Sequence, residues 1–362
     1  MNWHNLLPLP DTLPASWWLF ESLGVLTFTV HILFINVVVG TSLLALIKRF
    51  RSPDSPGLPG GILDSSANKI PSLIALAVTI GVAPLLFLQV LYGTLAYSSS
   101  VLMATFWILV IPVLIFGYYG AYLYAHKRRQ GKGRSSLATL GLVVLVAALL
   151  YIGFMLTNNM TLMLNPEKWP AYFQHRSGFI LNLDDVTVYM RYFHFLTASV
   201  GVAGLFSAIV WHYRKHTAGA TEKTRAGLRL FGFATMAQVL VGILLLLAIP
   251  SDYMRQFMGR NMAYTLVLMV GMATGVAVII TAMRGKLWTT VWLLVITTLS
   301  MGTLRAMLRA AYLEHFFDVS SVAVNTQYSP MIAFVIILII GLAVVAWMIK
   351  AAANAQQRRV AQ

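Results

Sequence analysis

Along most of this chain the apolar positions follow neither a two-residue nor a 3.6-residue period; they run on without interruption. Stretches of 18 or more predominantly apolar residues recur, each long enough to cross a bilayer as a helix. They predict nine spans, near residues 22–47, 70–97, 101–125, 136–158, 187–212, 228–250, 261–283, 287–313 and 328–349. Only Ser98 to Ser100 divides the second from the third. The expected fold class is an all-α integral membrane protein forming one domain over residues 1–362. Residues 1–21 read as an interfacial lead-in, with prolines and paired tryptophans, and 350–362 as a cytoplasmic tail. A secretory signal is not expected, because the first lysine is Lys48. SPDSPGLPGG (52–61) reads as a loop. The segment from Asn159 to Phe179 is the longest on the opposite side, and its aromatics suit the interface.

Composition agrees with the pattern. Hydrophobic residues make up 59% and charged residues 10% of the 362, with a mean hydropathy of +0.76, far from the balance of a soluble domain. With no cysteine, the chain cannot supply a disulfide, a thiolate–metal site, an iron–sulfur cluster or a covalent c-type haem. The net charge of +15 sits in short loops between spans, so it sets orientation and argues for no nucleic-acid partner. One set of loops carries 19 of the 26 basic residues; the other carries Lys168, Arg176, Arg191, Arg255 and Arg260. The basic loops belong in the cytoplasm, which places the N-terminus outside.

Arg305 and Arg309 remain, inside the eighth span and one turn apart, so both project from one face. Two histidines, His31 and His194, also fall within apolar helix. At about 1.5 Å per residue, His194 lies roughly 27 Å from the cytoplasmic boundary at His212, and His31 roughly 25 Å from Lys48. Met269 lies roughly 22 Å above Arg284, and Arg305 roughly 28 Å above Lys286. Ionisable groups at such depth are costly and need a partner or a wet cavity, yet the spans hold almost no acid; Glu21 and Glu314 stand at span ends. Haem b satisfies both requirements: imidazole or thioether ligates iron, and propionates would neutralise the arginines. The plainer alternatives are a histidine hydrogen-bonded to a neighbouring helix and an Arg309 that snorkels to headgroups.

These stretches resemble subunit I of cytochrome bd quinol oxidase. RYFHFLTASVG (191–201) resembles the family's fifth-span motif, with a basic residue, Arg191, three before a low-spin haem ligand, His194. TVHILFINVVVG around His31 resembles the first-span motif of its outer high-spin haem. GVAPLLFLQVLYGT (81–94) resembles the second span, matching at Gly81, Val82, Gln89, Gly93 and Thr94. MLTNNMTLMLNP resembles the end of the fourth span, and LVLMVGMATG aligns with the span of the second low-spin ligand, implying Met269, with Met272 one turn on.

The resemblance implies one or two haems b, three at the upper limit, and a quinone or quinol as a further ligand. It implies an electron-transfer subunit in the bacterial inner membrane, working between the quinone pool and a periplasmic c-type cytochrome or iron–sulfur protein. Other membrane subunits of a respiratory complex would be its partners. Two departures argue against oxygen reduction and against the family's known quinol site. The third and eighth spans lack the family's carboxylates, and the long quinol loop shrinks to IPSDYMRQFMGRN. An oxygen-reducing subunit with replaced ligands and a haem-free transporter or scaffold are the rival readings.

Overall fold

The computed structural model describes residues 11–51, 69–174 and 180–360. Among these, the regular structure is helical. We number the long helices α1 (Trp17–Phe50), α2 (Ile70–Met103), α3 (Val110–Arg129), α4 (Ser136–Met163), α5 (Val186–Tyr213), α6 (Ala220–Ala248), α7 (Met262–Met283), α8 (Leu287–Leu313) and α9 (Tyr328–Val360). Eight of them, α1 to α8, are long and apolar enough to cross a membrane, α3 together with the turn before it. α9 is a helix, but its described apolar stretch, Tyr328–Gly341, falls short of spanning length.

Side-chain chemistry sets several boundaries. Ser135 accepts a hydrogen bond from the Ala138 N–H and opens α4, Asp185 accepts from the Thr187 N–H and opens α5, and Asn261 caps α7 in the same way. Such caps satisfy amide groups that would otherwise be orphaned at the helix start. The boundary expected at Ser98–Ser100 lies instead at Ala104, whose backbone turns to φ +31. The serines stay helical because Ser98 and Ser100 return their hydroxyls to the carbonyls of Thr94 and Ala96. A single turn, Thr105–Ile108, then leads into α3. α1 starts at Trp17, inside the expected lead-in, and helix continues into the expected tail as far as Val360. The loop 52–61 and residues 175–179 of the aromatic segment lie outside the described residues.

Neighbours in sequence pack as antiparallel pairs, α1 with α2, α3 with α4, α5 with α6 and α7 with α8, and α1 also packs along α5. Small residues permit these approaches, as expected where apolar lipid gives helices no hydrophobic reason to associate. A methyl group added at Gly40 would meet the Ser199 carbonyl oxygen of α5 at 1.9 Å. Gly204 and Gly227 hold α5 and α6 together by the same means, each lying against the other's carbonyl.

Basic side chains gather at one end of the bundle, where Arg49 of α1 donates to Thr139 Oγ1 of α4 at 2.7 Å and Lys223 of α6 sits 4.0 Å from the Trp211 ring of α5. At the other end the segment before α1 pairs with the segment before α9, through Leu13 N–H to Ala323 C=O at 2.9 Å and Asn325 N–H to Leu13 C=O at 2.8 Å. α9 itself stands off the bundle, with Ile337 and Ile339 68% and 61% exposed.

Candidate functional site

The register of α1 against α5 fixes where the two histidines stand. Ser199 Oγ–H approaches Asn36 Oδ1 at 2.9 Å, both residues buried, and Gly40 meets Ser199 and Ala203 one turn further on. Residue numbers rise together, so the two helices run parallel. His31 precedes Asn36 by five residues and His194 precedes Ser199 by five. The bond therefore puts both imidazoles at one level, roughly 7.5 Å along the axis.

They face different neighbours. His31 Nδ1 lies 3.0 Å from the Ala77 carbonyl oxygen of α2. A carbonyl only accepts, so Nδ1 carries the proton and Nε2 keeps its lone pair free. The ring packs closely against Gly81, where an added methyl would meet His31 Cε1 at 2.6 Å. His194 turns to α6. Its Nε2 lies 3.1 Å from Gln238 Nε2, and its Nδ1 is buried without a partner. Gly242 flanks this ring, with ordinary van der Waals room for a methyl at 3.4 Å.

A belt of ionisable side chains stands beside the histidines, toward the end of the bundle away from the basic loops. Arg309 Nη2 donates to Glu21 Oε1 at 2.5 Å, the two side chains 12% and 16% exposed. The Arg309 guanidinium also lies 4.6 Å from the centre of the Tyr92 ring, at the kink in α2. Arg305 rests 4.3 Å from the Phe28 ring centre, three residues before His31, and within electrostatic reach of His31. Among the described residues Arg305 has no hydrogen bond or ion pair. Arg191 comes from α5, facing the Tyr312 hydroxyl and near enough to Arg305 for the two charges to repel. Its Nε, like that of Arg309, is buried and unpartnered.

Sequence reasoning expected both arginines of α8 to lack a carboxylate. Glu21 overturns that for Arg309. The expected span starts at residue 22 and leaves Glu21 at its end, but α1 begins five residues earlier, at Trp17, and Glu21 lies within it. Arg305 lies within electrostatic reach of both His31 and Arg191. Gln89 lies part-buried on α2, eight residues beyond Gly81. Met269 and Met272 are 59% and 52% exposed, and no hydrogen bond joins either thioether to His194 among the described residues. Tyr92, Tyr312 and Gln238 were missed; a polar residue on a buried helix face was the signal that could have marked Gln238.

Below this belt a polar network orders the start of α5. Lys168 Nζ donates to Asn182 Oδ1 at 2.7 Å and to Asp184 Oδ2 at 2.8 Å, while Asn182 and Asn165 donate to Asp185 Oδ2. The Lys168 ammonium holds the Asp184 carboxyl below its usual range.

No group of three or more metal-ligating His, Cys, Asp or Glu side chains occurs among the described residues. A haem asks for less: one imidazole with a free nitrogen, a close-packed flank and a cation for its carboxylates. His31, Gly81 and Arg305 match that set. His194 matches it less closely, since ligation through Nε2 requires Gln238 to release it. Compared with known protein families, curated proteins and solved structures, the chain matches none.

Proposed function

We propose that the chain is a haem b-holding electron-transfer subunit of a membrane complex, as the resemblance to subunit I of cytochrome bd quinol oxidase implies. Its nine spans would lie in the bacterial inner membrane with the N-terminus outside, the direction that the basic loops favour. The observation that carries this reading is His31: a tautomer fixed by the Ala77 carbonyl, a free Nε2, and an unpaired Arg305 beside it. A backbone carbonyl on the far nitrogen is the usual second contact of a ligating histidine, because it sets the ring and raises its basicity.

Bound haem supplies a one-electron carrier. His31 would hold it through Nε2, Arg305 would meet a propionate, and Arg191 would add positive charge behind. His194 is the second proposed ligand. Met269 enters only through the resemblance, and its exposed thioether gives it no support. Electrons would pass between the quinone pool and a periplasmic c-type cytochrome or iron–sulfur protein, and the exposed faces of α9 suit packing against other membrane subunits.

A haem-free scaffold is the second reading. The Glu21–Arg309 pair favours it, because that arginine needs no anion from outside the chain. A reduced-minus-oxidised spectrum with haem quantification separates the two. The electron-transfer reading expects a b-type spectrum, one haem fewer in His31→Ala and loss of the low-spin component in His194→Ala. A low-spin spectrum unchanged by Met269→Leu removes Met269 from the ligand set. Protein purified without haem from haem-replete cells ends the electron-transfer reading.

A further inference from the structure

At the basic end of the bundle, α6 and α7 border a half-open cavity of about 220 Å³ that the haem reading does not use. Arg225 and Arg229 of α6, one turn apart, and Arg284 at the end of α7 form its rim. Leu228, Ala282 and Met283 line it beneath, the first two each 1% exposed. No acidic side chain lines it. None of the three arginines has a hydrogen bond or ion pair among the described residues, and Glu222, one turn before Arg225, forms no bridge to it.

Three exposed like charges around one small cavity create a positive potential that draws an anion between them. The cavity is smaller than the roughly 300–1,000 Å³ of a typical small-molecule pocket, so it has room for a phosphate group and little more. From the rim the surface turns apolar. Phe233, Met236 and Leu240 on α6 are 58%, 41% and 60% exposed, and Ile280 on α7 is 43% exposed. An anionic head beside an exposed apolar tract describes an amphiphile. Basic pockets between membrane helices take lipid headgroups on this physical ground.

We propose that Arg225, Arg229 and Arg284 bind the phosphate of an anionic phospholipid whose acyl chains lie along α6 and α7. Arginine suits the task, since its planar fork meets two phosphate oxygens at once. The site is independent of the haem reading and would stand if that reading fell.

Titration of the full chain in mild detergent tests it, using dioctanoyl-phosphatidylglycerol, dioctanoyl-phosphatidylcholine and inorganic phosphate as separate probes. Phosphatidylglycerol should bind at least tenfold more tightly than either of the others. Each arginine near the surface is worth about fivefold in affinity. Arg284→Gln should therefore weaken phosphatidylglycerol binding about fivefold, and Arg225→Gln with Arg229→Gln about 25-fold. Lys127→Gln with Lys132→Gln, at the end of α3 and on the turn after it, should change it less than twofold. Equal binding of phosphatidylcholine overturns the proposal outright. Inorganic phosphate binding as tightly as the lipid would make this a free-anion site. An equal loss in the lysine pair would mean diffuse surface charge. The probe comparison on the unmodified chain decides the matter even if a variant fails to fold.

Discussion

His31 and His194 each reach across to the helix that follows their own in the chain, and each meets two residues one turn apart. For His31 these are Ala77 and Gly81; for His194 they are Gln238 and Gly242. The second residue of each pair is a glycine that admits the ring, and the first supplies the hydrogen bond. The difference lies in that first residue. The Ala77 carbonyl can only accept, so it dictates the tautomer of His31 and leaves one defined nitrogen free. The Gln238 contact is its amide nitrogen, which donates, so His194 Nε2 accepts and its lone pair is already occupied. The charge around them also differs: Arg305 stands unpaired beside His31, whereas His194 has Arg191 three residues before it, turned to Tyr312. One arrangement leaves Nε2 free, and the other occupies Nε2 and leaves a buried Nδ1 without a partner. Two identical side chains at one depth can thus be given different chemistry by a single neighbour.

The largest expected effect falls on the charge belt on the His31 side. Arg309→Gln would leave the buried Glu21 carboxylate uncompensated, which costs about 3–5 kcal/mol. It should lower the melting temperature in detergent far more than Arg305→Gln does; equal shifts would mean that water reaches Glu21. Next comes the flank of the two rings. Gly81→Ala must displace the His31 ring and should destabilise by about 1–3 kcal/mol, while Gly242→Ala, with room to spare, should be close to neutral. If thermal unfolding ranks them the other way, the tight cradle belongs to His194.

Gln238→Leu tests the other half. It strands the remaining nitrogen of His194 and should cost about 1–2 kcal/mol, with no change in the His31 site. Arg305→Gln acts more gently. Two charges about 6 Å apart at an effective dielectric near 20 interact by roughly 2–3 kcal/mol, and reorganisation leaves on the order of 1. In the electron-transfer reading this lowers a haem midpoint potential by tens of millivolts, a shift that should vanish in His31→Ala. A redox titration in which the shift survives His31→Ala would attach Arg305 to the His194 site instead.

The smallest effect lies in the Lys168–Asp184 bridge before α5. The folded carboxyl is depressed by Lys168, so its contribution is present above the unfolded value and is lost as pH falls through the lowered folded one. Asp184 is 73% exposed, and such surface pairs give less than about 1 kcal/mol. Lys168→Gln should therefore flatten the acid limb of a stability–pH profile slightly. An unchanged limb would mean that the bridge contributes nothing to stability.

The long apolar runs made the helices legible, because nothing else in a sequence buries a backbone in lipid. The depth of His31 and His194 was legible too, since residue counts convert directly to height along a helix. Rotation about the helix axis was not. The apolar runs surround each helix on all sides, so no periodicity told which face of α1 meets α2 or that Met269 faces outward. The same blindness hid Glu21, whose contact with Arg309 joins residues 288 apart. The break at Ala104 was unreadable for another reason: the serines that suggested a loop bond back to their own helix.

That separation of 288 residues also orders events during synthesis. At roughly 5–20 residues per second, Glu21 emerges some 15–60 s before Arg309 exists to meet it. Until then the first helix carries an uncompensated carboxylate near its leading end, where full burial in lipid is disfavoured. Insertion of α1 is therefore completed by α8, late, in the manner of a clasp closed after the garment is on. Chains halted before and after Arg309 should differ in how readily a water-borne reagent reaches a cysteine placed at position 22; equal labelling would show that α1 seats without its partner.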